Sequence, residues 1–360
     1  MSIRRIDLSN VRNIAEVSIS PSQGINLLFG CNGSGKSSFL EAIHLLAVGR
    51  SFRTNRIQKV VSAGAATLLV FAEYLDHASN IVSLGVERGS DIKRLRIGGR
   101  NVPSIAEFAR VIPLQLINPD SHRLVDQGAR YRRQFVDWGV FHVEPEFLPV
   151  WGRFRRTLGQ RNAALRGGTE SDAVISVWHN ELAECAERIA ELRDCYVSDL
   201  SPIAGRYVKA LMNRSDIEIS LQRGWNAGEE YESYLNRSLQ ADRKAGFTQR
   251  GPHRASLQIT LNGVMVQDRL SRGEQKLLAS ALRLAQIDLF SLKTGRRCVV
   301  LVDDLPSELD ERNREKFMHY LHRLRCQVFV TATARKQIPE DAAPIERVFH
   351  VEHGKIQEVV

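Results

Sequence analysis

No other feature of the chain restricts its fold as tightly as Gly30-Cys31-Asn32-Gly33-Ser34-Gly35-Lys36-Ser37, which fits G-x-x-x-x-G-K-[ST]. The pattern requires a strand before it and a helix after it. Ile25-Asn26-Leu27-Leu28-Phe29 is a short apolar run suited to a buried strand. Ser38 to Val48 reads as a helix with Phe39, Leu40, Ile43, Leu46 and Ala47 on one side. Glycines let consecutive backbone N–H groups turn inward around a phosphate, and the helix N-terminus adds partial positive charge. Lys36 is placed to reach β- and γ-phosphates, and the Ser37 hydroxyl to take one position on Mg²⁺. Cys31 is either a thiol activated by the helix N-terminus or an ordinary loop residue.

The second half of such a site comes late in the chain. Cys298-Val299-Val300-Leu301-Val302 is another apolar run and ends in Asp303-Asp304. A buried parallel strand delivering a carboxylate beside a phosphate loop is the Walker B arrangement. Asp303 is the expected Mg²⁺ residue and Asp304 the expected general base for water. Lys36 and Asp303 stand 267 positions apart. Simple P-loop kinases and GTPases close their site within a much shorter segment, so something large is inserted between two halves of one nucleotide fold.

Two further segments narrow the class. Leu270-Ser271-Arg272-Gly273-Glu274-Gln275-Lys276 precedes an apolar-rich helical stretch, Leu277–Phe290, and resembles the signature motif of ABC-type ATPases. Leu305-Pro306-Ser307-Glu308-Leu309-Asp310, just after Walker B, resembles their D-loop. The resemblance implies that Ser271 and Gly273 meet the γ-phosphate of ATP held by another subunit, and that Arg272, Glu274 and Asp310 belong with them to the nucleotide-binding set. A serine at a helix N-terminus is a good phosphate ligand. Gln115, in the apolar Leu114-Gln115-Leu116-Ile117, is a candidate for the Mg²⁺-sensing glutamine of such heads, or a polar residue at a strand edge. Ser38 continues the phosphate loop into its helix.

The expected fold class is α/β: an ABC-type P-loop ATPase head, split in sequence and carrying an antiparallel β subdomain, with an inserted, mostly helical lobe. Residues 1–120 form the first part of the head, 121–245 the lobe and 246–360 the rest of the head. Within 67–117, Thr67–Leu75, Ile81–Val86 and Ile92–Ile97 read as strands. In the lobe, Glu146–Arg166, Ser171–Leu200 and Tyr231–Ala245 read as helices and Ile217–Leu221 as a short strand. Val174, Val177, Trp178 and Cys185 share the stripe of the second helix, and Pro202 marks its end or a kink. A thirty-residue helix spans about 45 Å. That suits a compact lobe, not the long coiled coil of chromosome-condensing ATPases.

Composition supplies bounds. The chain has 360 residues, 43% hydrophobic and 25% charged, which excludes wholesale disorder. No run approaches the roughly 20 apolar residues of a membrane span, and the N-terminus lacks the features of a signal peptide. Five scattered cysteines without a C-x-x-C pair argue against a zinc site or disulfide framework, so a reducing cytoplasm is expected. The net charge of +9 suits an anionic partner, nucleic acid or a membrane surface.

Further segments point to one family. Val11-Arg12-Asn13, Gly49-Arg50-Ser51-Phe52-Arg53 and Tyr131-Arg132-Arg133-Gln134-Phe135-Val136-Asp137-Trp138 are three of them. Gln160-Arg161-Asn162-Ala163-Ala164-Leu165, Gly251-Pro252-His253-Arg254 and the arginine-bearing signature complete the set. Over nearly its whole length the chain resembles the RecF family of bacterial recombination-mediator ATPases. The resemblance implies a homodimer closed around two ATP molecules that clamps DNA, works with RecO and RecR, and so loads RecA at single-strand gaps. It implies no membrane partner. Thr331 stands near where transporter ATPases carry a histidine, and Asp304 where they carry glutamate. Slow hydrolysis used as a dimer switch is the expectation.

Arginines offer the DNA contacts. Arg50, Arg53, Arg56 and Lys59 follow the first helix; Arg123, Arg130, Arg132 and Arg133, then Arg153, Arg155, Arg156 and Arg161, follow at the lobe. Such side chains neutralise phosphates of double-stranded or gapped DNA without reading sequence, although any one arginine is more often part of a solvated helix face. Arg53 is placed to touch either nucleotide or DNA. His253, in a Gly-Pro turn, reads as structural before catalytic. A transporter subunit, a small-molecule P-loop kinase and a chromosome-organising ATPase are the competing classes.

Overall fold

The computed structural model describes residues 1–359. Two compact units divide the chain. The first comprises residues 1–121, 210–212 and the chain from Arg272 onward; the second comprises 122–209 and 213–271.

The first unit holds two six-stranded sheets. Strands β1 (Ser2–Val11), β2 (Ile14–Ile19), β4 (Thr67–Leu75), β5 (Ile81–Gly89), β6 (Lys93–Ile97) and β7 (Arg100–Asn101) form an antiparallel sheet in the order β2-β1-β4-β5-β6-β7. Strands β3 (Ile25–Phe29), β8 (Leu114–Ile117), β12 (Val299–Val302), β13 (Gln327–Ala332), β14 (Ile345–Glu352) and β15 (Lys355–Val359) form the other, in the order β15-β14-β3-β13-β12-β8. All pairings in this second sheet are parallel except that of β14 with β15. Its inner strands are buried on both faces, which is why β3, β12 and β13 read as continuous apolar runs. Helix α1 (Lys36–Val48) is buried along nearly all its length. Phe39, Leu40 and Ile43 of α1 share a core with Ile3, Ile6 and Leu8 of β1 and with Leu301 and Phe329 of the parallel sheet. Each such fully buried side chain contributes about 1.5–3 kcal/mol relative to exposure. Helices α2 (Ile105–Val111), α9 (Arg272–Thr294), α10 (Leu305–Glu308) and α11 (Glu311–Arg323) complete the unit.

The expected antiparallel subdomain therefore exists, but Leu114–Ile117 does not join it. Instead β8 pairs in parallel with β12. Apolar alternation could not separate the two destinations, because both offer buried neighbours.

The second unit contains α3 (Arg123–Asp126), α4 (Gly128–Val143), α5 (Phe147–Gly167), α6 (Asp172–Ser176), α7 (His179–Met212) except its last three residues, and α8 (Tyr231–Ala245). It also holds a three-stranded antiparallel sheet, β11-β10-β9, formed by β9 (Ile217–Gln222), β10 (Ser256–Leu261) and β11 (Val264–Met265). That sheet corrects the expected boundary at 245. Six register pairs tie β10 to β9, so residues 246–271 stay with the lobe. The single helix expected over 171–200 is two helices, separated at Val177, which is 74% exposed, and Trp178. Pro202 does not end α7, which continues to Met212. Tyr196, Val197, Leu200, Ile203, Ala204, Tyr207 and Val208 are all buried around it. That burial outweighs the one backbone hydrogen bond the proline forfeits. Among the described residues no helix is long and apolar enough to cross a membrane.

Candidate functional site

The parallel sheet brings β3, β13 and β12 side by side, with the phosphate loop and Asp303 leaving the same edge. Asp303 follows the register pair Val302–Val330 and so lies beside Thr331, which pairs with Leu28. Ligands in open α/β sheets bind at the carboxyl ends of the strands. There a cleft of about 520 Å³ is lined by Asn32, Gly33, Gly35, Lys36, Ser37 and Ser38 of the loop and by Asp303, Asp304 and Thr331.

Backbone geometry explains two glycines. Gly30 has φ 155° and packs so tightly that a Cβ would lie 2.1 Å from the Val351 carbonyl oxygen. Gly35 has φ 124°, in a region that side chains disfavour, and caps α1. The Lys36 ammonium donates to the Gly30 and Cys31 carbonyl oxygens at 2.7 and 2.9 Å. Burial lowers its pKa, partly offset by the carboxylates of Asp304 and Asp303. The Ser34 hydroxyl is buried with no hydrogen-bond partner among the described residues. An orphaned hydroxyl on the phosphate loop fits a phosphate oxygen. Cys31 is exposed on the loop.

Ser37 Oγ donates to Asp303 Oδ1 at 2.8 Å, and Thr331 Oγ1 donates to the same oxygen at 3.0 Å. Thr331 in turn accepts the Asp304 N–H at 2.7 Å. Burial raises the pKa of Asp303, partly offset by the two hydroxyl donors. A hard-oxygen pair made of one hydroxyl and one buried carboxylate fits Mg²⁺, which takes few protein ligands and completes its shell with phosphate and water. Asp304 turns the chain out of β12 in the left-handed conformation, φ 55° and ψ 51°, which places it at the mouth of the cleft.

Gln115 does not belong to this group. It lies opposite Val300, two residues short of the strand end, and is buried. Its side chain donates to Gln286 at 2.7 Å and accepts from Arg283 at 3.0 Å. A metal role is therefore corrected to a structural one: the strand pleat aims this glutamine at α9 instead of at the sheet edge.

The cleft contains residues whose place the sequence motifs do not reveal. Arg12 and Asn13 form the two-residue turn between β1 and β2, with Arg12 at φ 56°. Arg12 gives Glu41 of α1 a two-pronged contact, Nε and Nη2 each at 2.8 Å, and Glu41 is fully buried. Ser51 also donates to Glu41. Asn13 donates to the Ser34 carbonyl oxygen at 3.0 Å and accepts from Ser38 Oγ at 3.1 Å. A distant hairpin thus clamps the phosphate loop through one buried carboxylate. The only sequence signal was an asparagine and an arginine at a tight turn.

The same carboxylate organises the loop after α1. Arg53 lines the cleft and stands 4.0 Å from Glu41. Its N–H and that of Thr54 donate to Ser51 Oγ. His44 clips the loop by donating from its ring to the Arg50 carbonyl oxygen at 2.7 Å. Burial lowers the His44 pKa to about 4. Arg50 and Arg56 are exposed.

The signature and D-loop segments lie apart from this cleft. Ser271, Arg272 and Gly273 are exposed at the start of α9, with Glu274 half-buried. Arg272, Gly273 and Lys276 face Pro306–Asp310 across a groove of about 340 Å³, which shares no lining residue with the first cleft. Lys276 ties the two segments by donating to the Ser307 carbonyl oxygen and pairing with Glu308 at 3.1 Å. Asp310 caps α11, accepting the Asn313 N–H at 2.9 Å.

In the second unit, Arg132 and Arg133, among the eight arginines expected to offer DNA contacts, face inward. Arg132 is buried and donates to Ser256 Oγ at 3.0 Å; Arg133 donates to the Ala255 carbonyl oxygen at 2.7 Å. The α4 face that carries them packs on β10, so the DNA role given to this pair is corrected. Arg130, Arg155 and Arg156 are exposed. Arg161 is also internal, paired with Asp242 at 3.0 Å where both are fully buried. His253 lies close to the Thr248 carbonyl oxygen, at 3.1 Å, in a buried turn, and burial lowers its pKa to about 4.

The geometry can be set beside known proteins. The family model "RecF/RecN/SMC N terminal domain" matches residues 2–357. A relative from Pseudomonas putida, "DNA replication and repair protein RecF", is 44% identical over 99% of this chain and 98% of its own length. One of the same name from Pseudomonas fluorescens is 43% identical with the same coverage. Among solved structures, a "recombination mediator protein RecF-ATP in RecFOR pathway" superposes with a TM-score of 0.90 at 24% identity, covering 99% and 97% of the two chains. An SMC head bound to the C-winged helix domain of ScpA gives a TM-score of 0.62 at 15% identity, covering 100% and 97%. These structural likenesses show an ABC-type ATPase head fold. With the family model and the curated relatives spanning nearly all of its length, this chain belongs to the RecF family.

Proposed function

We propose that this protein is an ATP-dependent DNA-binding protein of recombinational repair and replication restart. Two copies close around two ATP molecules and clamp DNA at gaps; with RecO and RecR they promote RecA loading. The observation that carries this reading is the division of the site. Lys36, Ser37 and Asp303 line one cleft, whereas Arg272 and Gly273 line a separate exposed groove. A γ-phosphate held by the first lacks its second set of ligands until another copy presents Ser271, Arg272 and Gly273.

Each residue then has a task. Inward N–H groups of Gly30 to Gly35 and the Ser34 hydroxyl hold the β-phosphate, and Lys36 leaves its carbonyl partners to meet the β- and γ-oxygens. Ser37 and Asp303 hold Mg²⁺, which supplies charge neutralisation for the phosphates. Arg53, pinned near Glu41, faces the nucleotide. Asp304 orients the attacking water and accepts its proton. Its side chain is one methylene shorter than glutamate, and misplacement of a catalytic group slows hydrolysis. ATP therefore acts as a switch whose slow hydrolysis resets the dimer. Arg50, Arg56 and Arg130 supply sequence-independent contacts to DNA phosphates. The relatives named for replication and repair support the same setting, and a reducing cytoplasm remains the compartment proposed.

Sedimentation velocity with and without ATP and gapped DNA tests this. A dimer that forms with ATP and carries the DNA is expected. A monomer under every condition overturns the reading, as does rapid hydrolysis by a stable monomer.

A further inference from the structure

We propose that a second cavity, within the inserted unit, binds the sugar-phosphate backbone of single-stranded DNA. The proposal rests on the DNA-binding reading above and adds a site to it. The cavity, about 1120 Å³, lies between the turn that follows β9 and the Gly251-Pro252-His253-Arg254 turn. That second turn has no part in the nucleotide cleft.

The walls are fixed. The Gly251 N–H donates to the Gly224 carbonyl oxygen at 3.1 Å, and a Cβ on Gly224, where φ is 102°, would lie 2.2 Å from the Gly251 oxygen. The two turns therefore pack backbone to backbone, which only glycine permits. Buried Trp225 donates its indole N–H to the Glu229 carbonyl oxygen at 3.0 Å. Tyr231 donates its hydroxyl to the Arg250 carbonyl oxygen at 2.7 Å. A binding surface held this firmly loses little freedom when it takes a ligand.

Arginines of this unit divide between those held by carboxylates and those, such as Arg155 and Arg166, that are exposed with no ion pair among the described residues. Arg153, Arg161, Arg188, Arg193, Arg237 and Arg243 are all committed to carboxylates. On the cavity wall, Arg223 is likewise held by Asp194 and Glu187. Arg250 and Arg254 differ: both are exposed and neither forms an ion pair among the described residues. Arg250 donates only to an amide, Asn226 Oδ1 at 3.1 Å, and Arg254 lies over the ring of Phe247 at 5.8 Å. Glu229 is the one carboxylate lining the cavity among the described residues, and Arg237 neutralises it. Two free guanidinium groups over a neutralised wall call for an anion.

The remaining chemistry selects a strand. Gln222, Gln249 and Gln258 offer donors and acceptors without fixed charge, suited to sugar and base edges of any sequence. The cavity takes a short stretch of single strand and is too small to enclose a duplex.

Fluorescence anisotropy with the full chain tests this, using labelled oligothymidylate and a blunt duplex hairpin across a salt series. The double variant Arg250→Gln, Arg254→Gln is expected to bind oligothymidylate about tenfold more weakly, with the log–log salt slope smaller by about 1.4, or 0.7 per lost phosphate contact. Hairpin affinity is expected to change less than about twofold. Gln249→Lys, at an exposed position tied to the fold through its backbone N–H on Asp242 rather than its side chain, is expected to tighten oligothymidylate binding about twofold or more. Unchanged affinity and slope in both variants, or an equal loss on the hairpin, overturns the cavity. An ATP-dependent dimer that binds DNA yet ignores these substitutions overturns the cavity alone. A wild-type chain with no affinity for either DNA overturns the proposed function as well.

Discussion

The loop after α1 and the helices that open the inserted unit carry similar densities of arginine, yet the loop exposes Arg50, Arg53 and Arg56 whereas the helices bury part of theirs and expose Arg130, Arg155 and Arg156. Arg50, Arg53 and Arg56 are exposed, on a short loop whose turns are closed by Ser51 and Thr54. Arg132 and Arg161 are buried, and Arg133 is half-buried, on amphipathic helices whose inner faces they share with Phe135, Val136, Phe154 and Leu165. A loop this short cannot cover a guanidinium, whereas a helix packed on a sheet can enclose one and must then supply its partners. Counting arginines in a sequence measures charge, not surface.

That contrast can be broken by experiment, and the largest effect is expected inside the lobe. Arg161→Leu leaves Asp242 buried without its cation, which costs about 3–5 kcal/mol. Urea unfolding followed by circular dichroism reads this directly; a loss below about 1 kcal/mol would show the pair to be dispensable. The next effect is shared by both regions. His44 in the head and His253 in the lobe are held neutral, each with its pKa lowered to about 4. An unfolded chain binds those protons near pH 6.5, so the neutral rings favour the fold above that pH. This stability is lost as pH falls from about 6.5 towards 4, by about 2–3 kcal/mol per ring. The urea midpoint should drop between pH 7 and 5, and His44→Gln should flatten its share of the drop. A midpoint independent of pH would contradict buried neutral rings. The smallest effect on stability separates the two arginine sets. Arg50→Ala with Arg56→Ala should change stability by less than about 0.5 kcal/mol per site while lowering the salt slope of duplex binding by about 0.9 per contact. Arg132→Ala should do the reverse, costing about 1–2 kcal/mol and leaving the slope alone.

The nucleotide cleft was largely legible because its chemistry dictates residue types at fixed spacing. Gly30 to Ser37 and Asp303-Asp304 follow from what a phosphate and a divalent cation require, and the structure places them on one sheet edge. What spacing could not convey is how separate segments meet. The clamp from Arg12 to Glu41 joins positions 29 residues apart, and nothing in either one's neighbours marks the other. Gln115 shows the same limit from the opposite side: its residue type suits a metal site, and the pleat sends it elsewhere. The lobe boundary failed for a related reason. Strand β9 is recognisable by itself, but its partner β10 lies beyond a helix and a turn, so the pairing that keeps 246–271 with the lobe is visible only in three dimensions.

The order β15-β14-β3-β13-β12-β8 also bears on how the chain is made. Strand β3 ends at Phe29, and both its neighbours, β13 and β14, begin at or after Gln327. At about 5–20 residues per second, a ribosome takes roughly 15–60 s to deliver them. Throughout that interval the most apolar part of the nascent head has two unsatisfied edges, while the lobe, encoded in between, can fold as a unit. The protein is thus bound to be finished from the middle outward. A chain cut short before Ile345 would hold a complete lobe but leave β3 without one or both of its neighbours.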